Sequence, residues 1–181
     1  MVFDWYEICN EEDKTLQQGD FVLECPIVIP PVILNEGDTL EMDVKKIDSI
    51  VLSQSCDLVQ GKIDIVLVCP YYSLKNWLDA SPYNQNKKTK KKGVDDLRKG
   101  HFPAYHLLNK LESDIDFLED YQVVDFRNVY GVHFQLLNNM IENTADRIRL
   151  LPPYREHLSQ AFARYFMRVG LPQDLVVEYE Y

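Results

Sequence analysis

The stretch Lys46–Ser73, KIDSIVLSQSCDLVQGKIDIVLVCPYYS, decides how the chain is read. Two apolar runs rich in Ile and Val, Ser49–Leu52 and Ile63–Cys69, flank a polar turn containing Gly61. Short β-branched runs bounded by turn residues predict strands, here joined by a hairpin-like connection. That connection carries Ser53, Gln54, Ser55, Cys56 and Asp57, a cluster of hydroxyl, amide, thiol and carboxylate groups at the end of a buried strand. Loops held by a rigid scaffold are where a β-domain usually keeps its site.

Towards the N-terminus, Thr39–Val44 alternates apolar and acidic residues, the period of a half-buried strand, after a turn at Asn35–Asp38. Phe21–Cys25 is a further strand launched by Gln18-Gly19-Asp20, and the prolines at 26, 30 and 31 place its continuation at a sheet edge. Residues 1–16 form an arm whose aromatics, Phe3, Trp5 and Tyr6, pack down on the domain. Towards the C-terminus, Leu74, Trp77 and Leu78 recur at helical spacing and open a long insertion with a mobile basic middle. Strands are expected at His101–Leu108 and Tyr121–Val132, a connection at Phe117–Glu119, a short helix at Leu136–Ile141 and an extended segment at Arg147–Leu151. Pro152-Pro153 starts a helix with Leu158, Ala161, Phe162, Tyr165, Phe166 and Val169 on one stripe; Gly170 and Pro172 end it.

A length of 181 residues supports one core of ordinary size, and 46% hydrophobic with 27% charged residues is a folding composition. No apolar run approaches the roughly 20 residues of a membrane helix, and no basic-then-apolar leader opens the sequence, so a cytoplasmic protein with no membrane partner is expected. Cys9, Cys25, Cys56 and Cys69 lack metal-type spacing and are expected to be free. The net charge of −10 opposes nucleic acid on average, yet Lys87, Lys88, Lys90, Lys91, Lys92, Arg98 and Lys99 face only Asp95 and Asp96 within residues 87–99.

Gly19-Asp20-Phe21-Val22, Ile50-Val51-Leu52-Ser53, the run from Ile65 to Pro70, Tyr105-His106-Leu107-Leu108, Val123-Val124-Asp125-Phe126-Arg127 and the C-terminal helix, taken in order, resemble the PemK/MazF growth-inhibitor family of toxin endoribonucleases. The likeness spans roughly residues 17–170. It implies a mainly β, α+β fold: an SH3-like β-barrel over 17–151 with a helical, lysine-rich insertion at 74–100, a packed helix at 152–170 and a tail at 171–181, all one domain. In that family an arginine before the VLS-like strand and a threonine after the apolar-Pro step act on an RNA phosphodiester. Here Lys45 and Lys46 precede Ile50, and Tyr72, beside Ser73, follows Pro70. Lysine does not reproduce the bidentate grip of a guanidinium. The S-Q-S-C-D-L element is also similar to one in a little-characterised group of small bacterial proteins.

These residues leave several readings open. Cys56 beside Asp57 is a candidate nucleophile, or else Ser53, Ser55 and Asp57 satisfy a sharp turn while Cys56 fills a pocket. A zinc site from Cys56, Cys69 and two of His101, His106, His133 and His157 is not specified by spacing; neither metal nor cofactor is expected. Lys87–Lys92, with Tyr83, Phe102 and Tyr105 as stacking aromatics, could track an RNA backbone, or form a solvated loop or protein contact. The candidate catalytic residues are Cys56, Asp57 and Tyr72. The candidate binding residues are Ser53, Gln54, Ser55, Lys45, Lys46, Lys87, Lys88, Lys90, Lys91 and Lys92. The expected role is a binding or adaptor module with a protein partner, in a bacterial mobile-element or defence cassette. The alternatives are a metal-independent endoribonuclease and a hydrolase built on Cys56.

Overall fold

A computed structural model describes residues 3–10, 12–33, 37, 42–111, 120–144 and 146–167. The two runs of the opening stretch are paired strands. Residues Asp43–Val51 form β3, and Ile65–Ser73 form β4, antiparallel with Ser49 opposite Pro70 and Val51 opposite Val68. The connection between them is not a bare turn, because Ser55–Val59 winds into a short helix, α1. Upstream, β1 is Tyr6–Cys9 and β2 is Phe21–Ile29; among the described strands β2 pairs only with β3 and occupies the edge that its internal Pro26 favours. The strand expected at Thr39–Val44 and the Ser49 run are parts of one strand where described, since β3 already begins at Asp43. Residues 39–41, most of the turn at 35–38, the Phe117–Glu119 connection and the tail lie outside the described residues.

Downstream, α2 (Leu74–Ala80) follows β4 directly, and α3 (Lys87–Arg98) runs through the whole lysine-rich segment that was expected to be a mobile middle. Its ends explain why. Asn86 accepts from the Lys88 and Thr89 amides while Thr89 Oγ1 accepts from the Asn86 amide, a reciprocal capping box, and Gly100 at φ +71° closes the C-terminus. β5 is Tyr105–Leu108, β6 Gln122–Asp125, β7 Tyr130–His133, α4 Phe134–Glu142, β8 Arg147–Leu150 and α5 Tyr154–Phe166.

The expected long strand at Tyr121–Val132 is split into β6 and β7, both antiparallel to the same edge of β4. Tyr71 faces Val124 and Val68 faces Tyr130, so three steps of β4 correspond to six of its partner, and the extra residues bulge out around Phe126–Asn128. Such bulges re-aim side chains, often beside sites.

The sheet order is β2-β3-β4-β6-β5, with β7 also on β4, and β1 and β8 form a second, two-stranded sheet. Gly19 and Asp20 join the two. The Gly19 amide donates to Val51 O, its carbonyl accepts from Leu150 N, and Asp20 bridges Arg149. Gly19 has φ +85°, and a Cβ there would sit 3.0 Å from Leu150 Cβ, so the joint requires glycine. Among the described residues the ladder does not close into a barrel, because β1 and β5 are not paired. A side chain spans that gap instead: Tyr6 Oη, on β1, donates to Asn109 O just past β5 at 2.5 Å. The architecture is therefore a curled, antiparallel α/β fold.

Alternation along β4 assigns the faces. Cys69 and Tyr71 point into a concave core with Tyr6, Phe21, Leu108, Phe126, Leu150 and Leu158, over which α5 lays Phe162 and Tyr165. Val66 and Val68 point to the opposite face, covered by Leu58 of α1 and Leu137 and Ile141 of α4. Further along that outer face α2 and α3 close a third cluster on Val123 through Trp77 and Leu97. Of the N-terminal aromatics, Trp5 stacks on Tyr154 at 3.6 Å between ring centroids and Tyr6 is buried as part of β1, while Phe3 is exposed.

Candidate ligand-binding cavity

Where the insertion meets the sheet, a cavity of about 710 Å³ opens, lined by Tyr72 from β4, Asn76 and Trp77 from α2, Tyr83 from the turn after it, Phe102, Tyr105 from β5, and Asp125, Arg127 and Asn128 from the bulge. That volume lies in the range of small-ligand sites. Local sequence builds each wall. Ser73 ends β4 and caps α2, its Oγ accepting from Asn76 N at 3.1 Å, so Trp77 lands one turn above Tyr72. Trp77 then gathers the other rings: Tyr105 edge-on at 5.5 Å, Phe102 at 6.0 Å and Tyr83 near-parallel at 6.4 Å. Tyr83 is backed by α3, where Gly93 alone leaves room for it; a Cβ at 93 would lie 2.7 Å from Tyr83 Cγ.

The polar end is one ion pair. Arg127 Nε and Nη2 donate to the two oxygens of Asp125 at 2.9 and 2.7 Å, and Arg127 Cζ lies 4.8 Å from the Tyr105 ring centroid. Asp125 also accepts from the Arg127 amide and from Asn128 Nδ2. The hydrogen bonds Arg127 donates to Asp125 raise its pKa further above its ordinary value, so the guanidinium is a fixed positive charge. Burial raises the phenols of Tyr72 and Tyr105, which stay protonated donors. Asp125 is the one carboxylate among the cavity's lining residues, and four hydrogen bonds already engage it. Planar apolar walls, a fixed cation and amide donors suit recognition of a flat, electron-rich group.

The sequence candidates fall in separate places. Tyr72 lines this cavity, with Tyr83, Phe102 and Tyr105, the aromatics expected to stack. Ser53, Gln54 and Asp57 line a different, shallower depression with Leu67 and Ser159. Leu67 and Tyr72 stand five positions apart on β4 and so project from opposite faces. Ser53 Oγ accepts from Leu67 N and Ser55 Oγ from Gln18 N, while Gln18 Nε2 donates to Leu52 O and Ser159 Oγ; the loop is thus tied to α5. The exposed Cys56 thiol touches only Gln54 Oε1 at 3.6 Å and Asp57 Oδ1 at 3.8 Å in this loop. Lys45 and Lys46 lie on the part of β3 that pairs with β2, and Lys46 is bridged to Glu24 at 3.0 Å. Lys87, Lys88, Lys91 and Lys92 are exposed on α3, whereas Lys90 leans on Asp79 at 3.6 Å.

Trp77, Asp125 and Arg127 were not marked by the sequence. The available signal was Asp125-Phe126-Arg127, two opposite charges on one strand face around a buried aromatic. All four cysteines are free, and among the described residues no group of His, Cys, Asp or Glu is arranged to hold a metal. Among the described residues no helix is long and apolar enough to cross a membrane.

No family model, curated protein or solved structure matches this chain. What fold and site define is a class: an antiparallel α/β protein with a ligand-sized aromatic cavity built by an insertion on the outer face of its sheet.

Proposed function

We propose that this chain is a diverged PemK/MazF-like protein, its curled sheet an open SH3-like barrel, and that it works as a binding module which takes a base of single-stranded RNA into the aromatic cavity. The observation that carries this reading is the cavity itself. Five aromatic residues, Tyr72, Trp77, Tyr83, Phe102 and Tyr105, line it around one clamped guanidinium. It sits beside α3, a strongly basic helix in a chain with net charge −10. Stacking contributes roughly 1–3 kcal/mol per base and tolerates sequence, while lysines track the backbone. The carboxylate in the cavity is spent on Arg127, which supports binding over acid–base chemistry there.

The experiment incubates the protein with a long structured RNA, with and without chelator, at low and moderate salt. Retention of intact RNA, weakened by salt and by Trp77→Ala, is expected. Discrete fragments that persist in chelator would replace this reading with the endoribonuclease. Absence of retention at low salt would send the search to the protein partner of an adaptor.

A further inference from the structure

Beside the aromatic cavity runs a second depression of about 330 Å³, between the end of α3, β5 and α5. The two share Phe102 and Tyr105, which stand as a common wall. Their chemistry differs sharply. The second is lined by Arg98, Lys99, His157 and Arg164, with no carboxylate among its lining residues. In a chain carrying 29 acidic against 19 basic residues, a groove with only basic charges departs strongly from the average surface.

We infer that this groove is the phosphate subsite of the cavity, so that the unit recognised is one nucleoside phosphate, its base among the rings and its phosphate between Arg98, Lys99 and Arg164. This rests on the base-binding reading above and adds where the charge goes. The groove meets the C-terminus of α3, whose carbonyls would ordinarily repel an anion. Here they are occupied: Asp95 O accepts from Lys99 N, Leu97 O from Gly100 N and Asp96 O from His101 N. Arg98 shares its charge loosely with Asp95 at 3.8 Å, and its side chain remains 66% exposed, free to turn towards a phosphate. Three cations from two elements, α3 with its cap and α5, converge on one opening. Charge-assisted bonds to phosphate are the strong ones, and guanidinium forks suit its geometry.

The test uses the full chain with Trp5→Phe, leaving Trp77 as the single tryptophan reporter. Adenosine, AMP and a short oligoadenylate without terminal phosphates are titrated against its emission at low salt. AMP is expected to bind about tenfold more tightly than adenosine, an advantage lost in the Arg98→Ser, Arg164→Ser double variant while adenosine affinity holds. Both arginines are exposed, so folding is not at stake. A free nucleotide as the ligand predicts AMP tighter than the oligomer; a strand predicts the reverse; either supports the subsite. Equal binding of adenosine and AMP, or a double variant that keeps the AMP advantage, overturns the groove and leaves the cavity reading intact. No response of Trp77 to any of the three overturns both.

Discussion

Arg127 grips Asp125 through two parallel hydrogen bonds, 2.9 and 2.7 Å, across the bulge that separates β6 from β7. The pair closes a local problem of folding. Three extra residues leave the ladder here, and the Asp125 side chain, 3% exposed, lies at the break. Arg127→Ala would strand that carboxylate with the 127 amide and Asn128 as its remaining partners. A loss of about 2 kcal/mol is expected in urea unfolding. Arg127→Lys should recover only part, since an ammonium cannot fork. An unchanged midpoint for both variants would mean that solvent, not Arg127, satisfies Asp125.

Tyr83, backed by Gly93 of α3, forms one wall of the cavity. A methyl at 93 has nowhere to go but into the Tyr83 ring, at 2.7 Å from Cγ. Alanine gains about 1 kcal/mol of helix propensity and loses about 1–3 kcal/mol to overpacking. Gly93→Ala should therefore move global stability little while shifting the near-ultraviolet circular dichroism of the Trp77 cluster and abolishing nucleotide quenching. Gly61→Ala makes the control: it is strained at φ +60° but meets nothing within 4 Å and lines neither the cavity nor the groove, so it should cost stability and spare binding.

How much of this was legible follows from the same residues. Strands at Ser49–Leu52 and Ile63–Cys69, the edge role of the proline-bearing strand and the final helix were readable because each is a local pattern of period or punctuation. The lysine run hid a helix because its charge dominates, while the buried positions of the helix are Gly93 and Leu97, four apart, and its capping box pairs Asn86, just before the run, with Thr89 inside it. The break at Asp125 was invisible because a bulge is defined by the partner strand, not by its own sequence. Tyr72 and the Ser53–Asp57 loop looked close because both flank one hairpin strand. Ser53, Gln54 and Asp57 instead line a depression with Leu67, which strand periodicity places on the face opposite Tyr72.

The sequence places Asp20 at the launch of one strand and Arg147 and Arg149 in a distant extended segment, yet they meet in the core. Asp20 is fully buried, accepts from Arg149 Nε and Nη2, and lies 3.4 Å from Arg147 Nε, while Asp13 and Glu7 complete the far side of Arg149. This cluster locks the joint between the two sheets. Asp20→Ala leaves two buried guanidiniums undercompensated and should cost about 3–5 kcal/mol. Equilibrium unfolding of Asp20→Ala and Asp20→Asn checks it, with a loss below about 1 kcal/mol for Asp20→Ala counting against the lock.

Acid should weaken the fold in two stages. Burial, with a smaller push from His157, lowers the His106 imidazole from its ordinary 6.5 to about 4. The neutral form is the one the fold holds, so its contribution is full above pH 6.5 and is lost as pH falls towards 4. Partial exposure of His106 in its groove keeps this first stage small. Burial opposes the charge of Asp13, but the Thr15 amide and Arg149 overcome it and lower its carboxyl from 3.8 to about 2. That contribution is present above pH 3.8 and disappears towards pH 2. His106→Gln should flatten the upper stage of a stability–pH curve and Asp13→Asn the lower one.

Cys56 gives the sharpest separation between binding and thiol chemistry. It is exposed, whereas Cys9, Cys25 and Cys69 are buried, and burial pushes Cys9 up to about 12, Cys25 up to about 11 and Cys69 higher still. Alkylation of the native protein should therefore modify one cysteine, identifiable by peptide mass, and the other three only after unfolding. Cys56 does not line the aromatic cavity, so the modified protein and Cys56→Ala should quench Trp77 with nucleotide as the unmodified protein does. A hydrolase built on Cys56 demands in addition an activity that alkylation destroys.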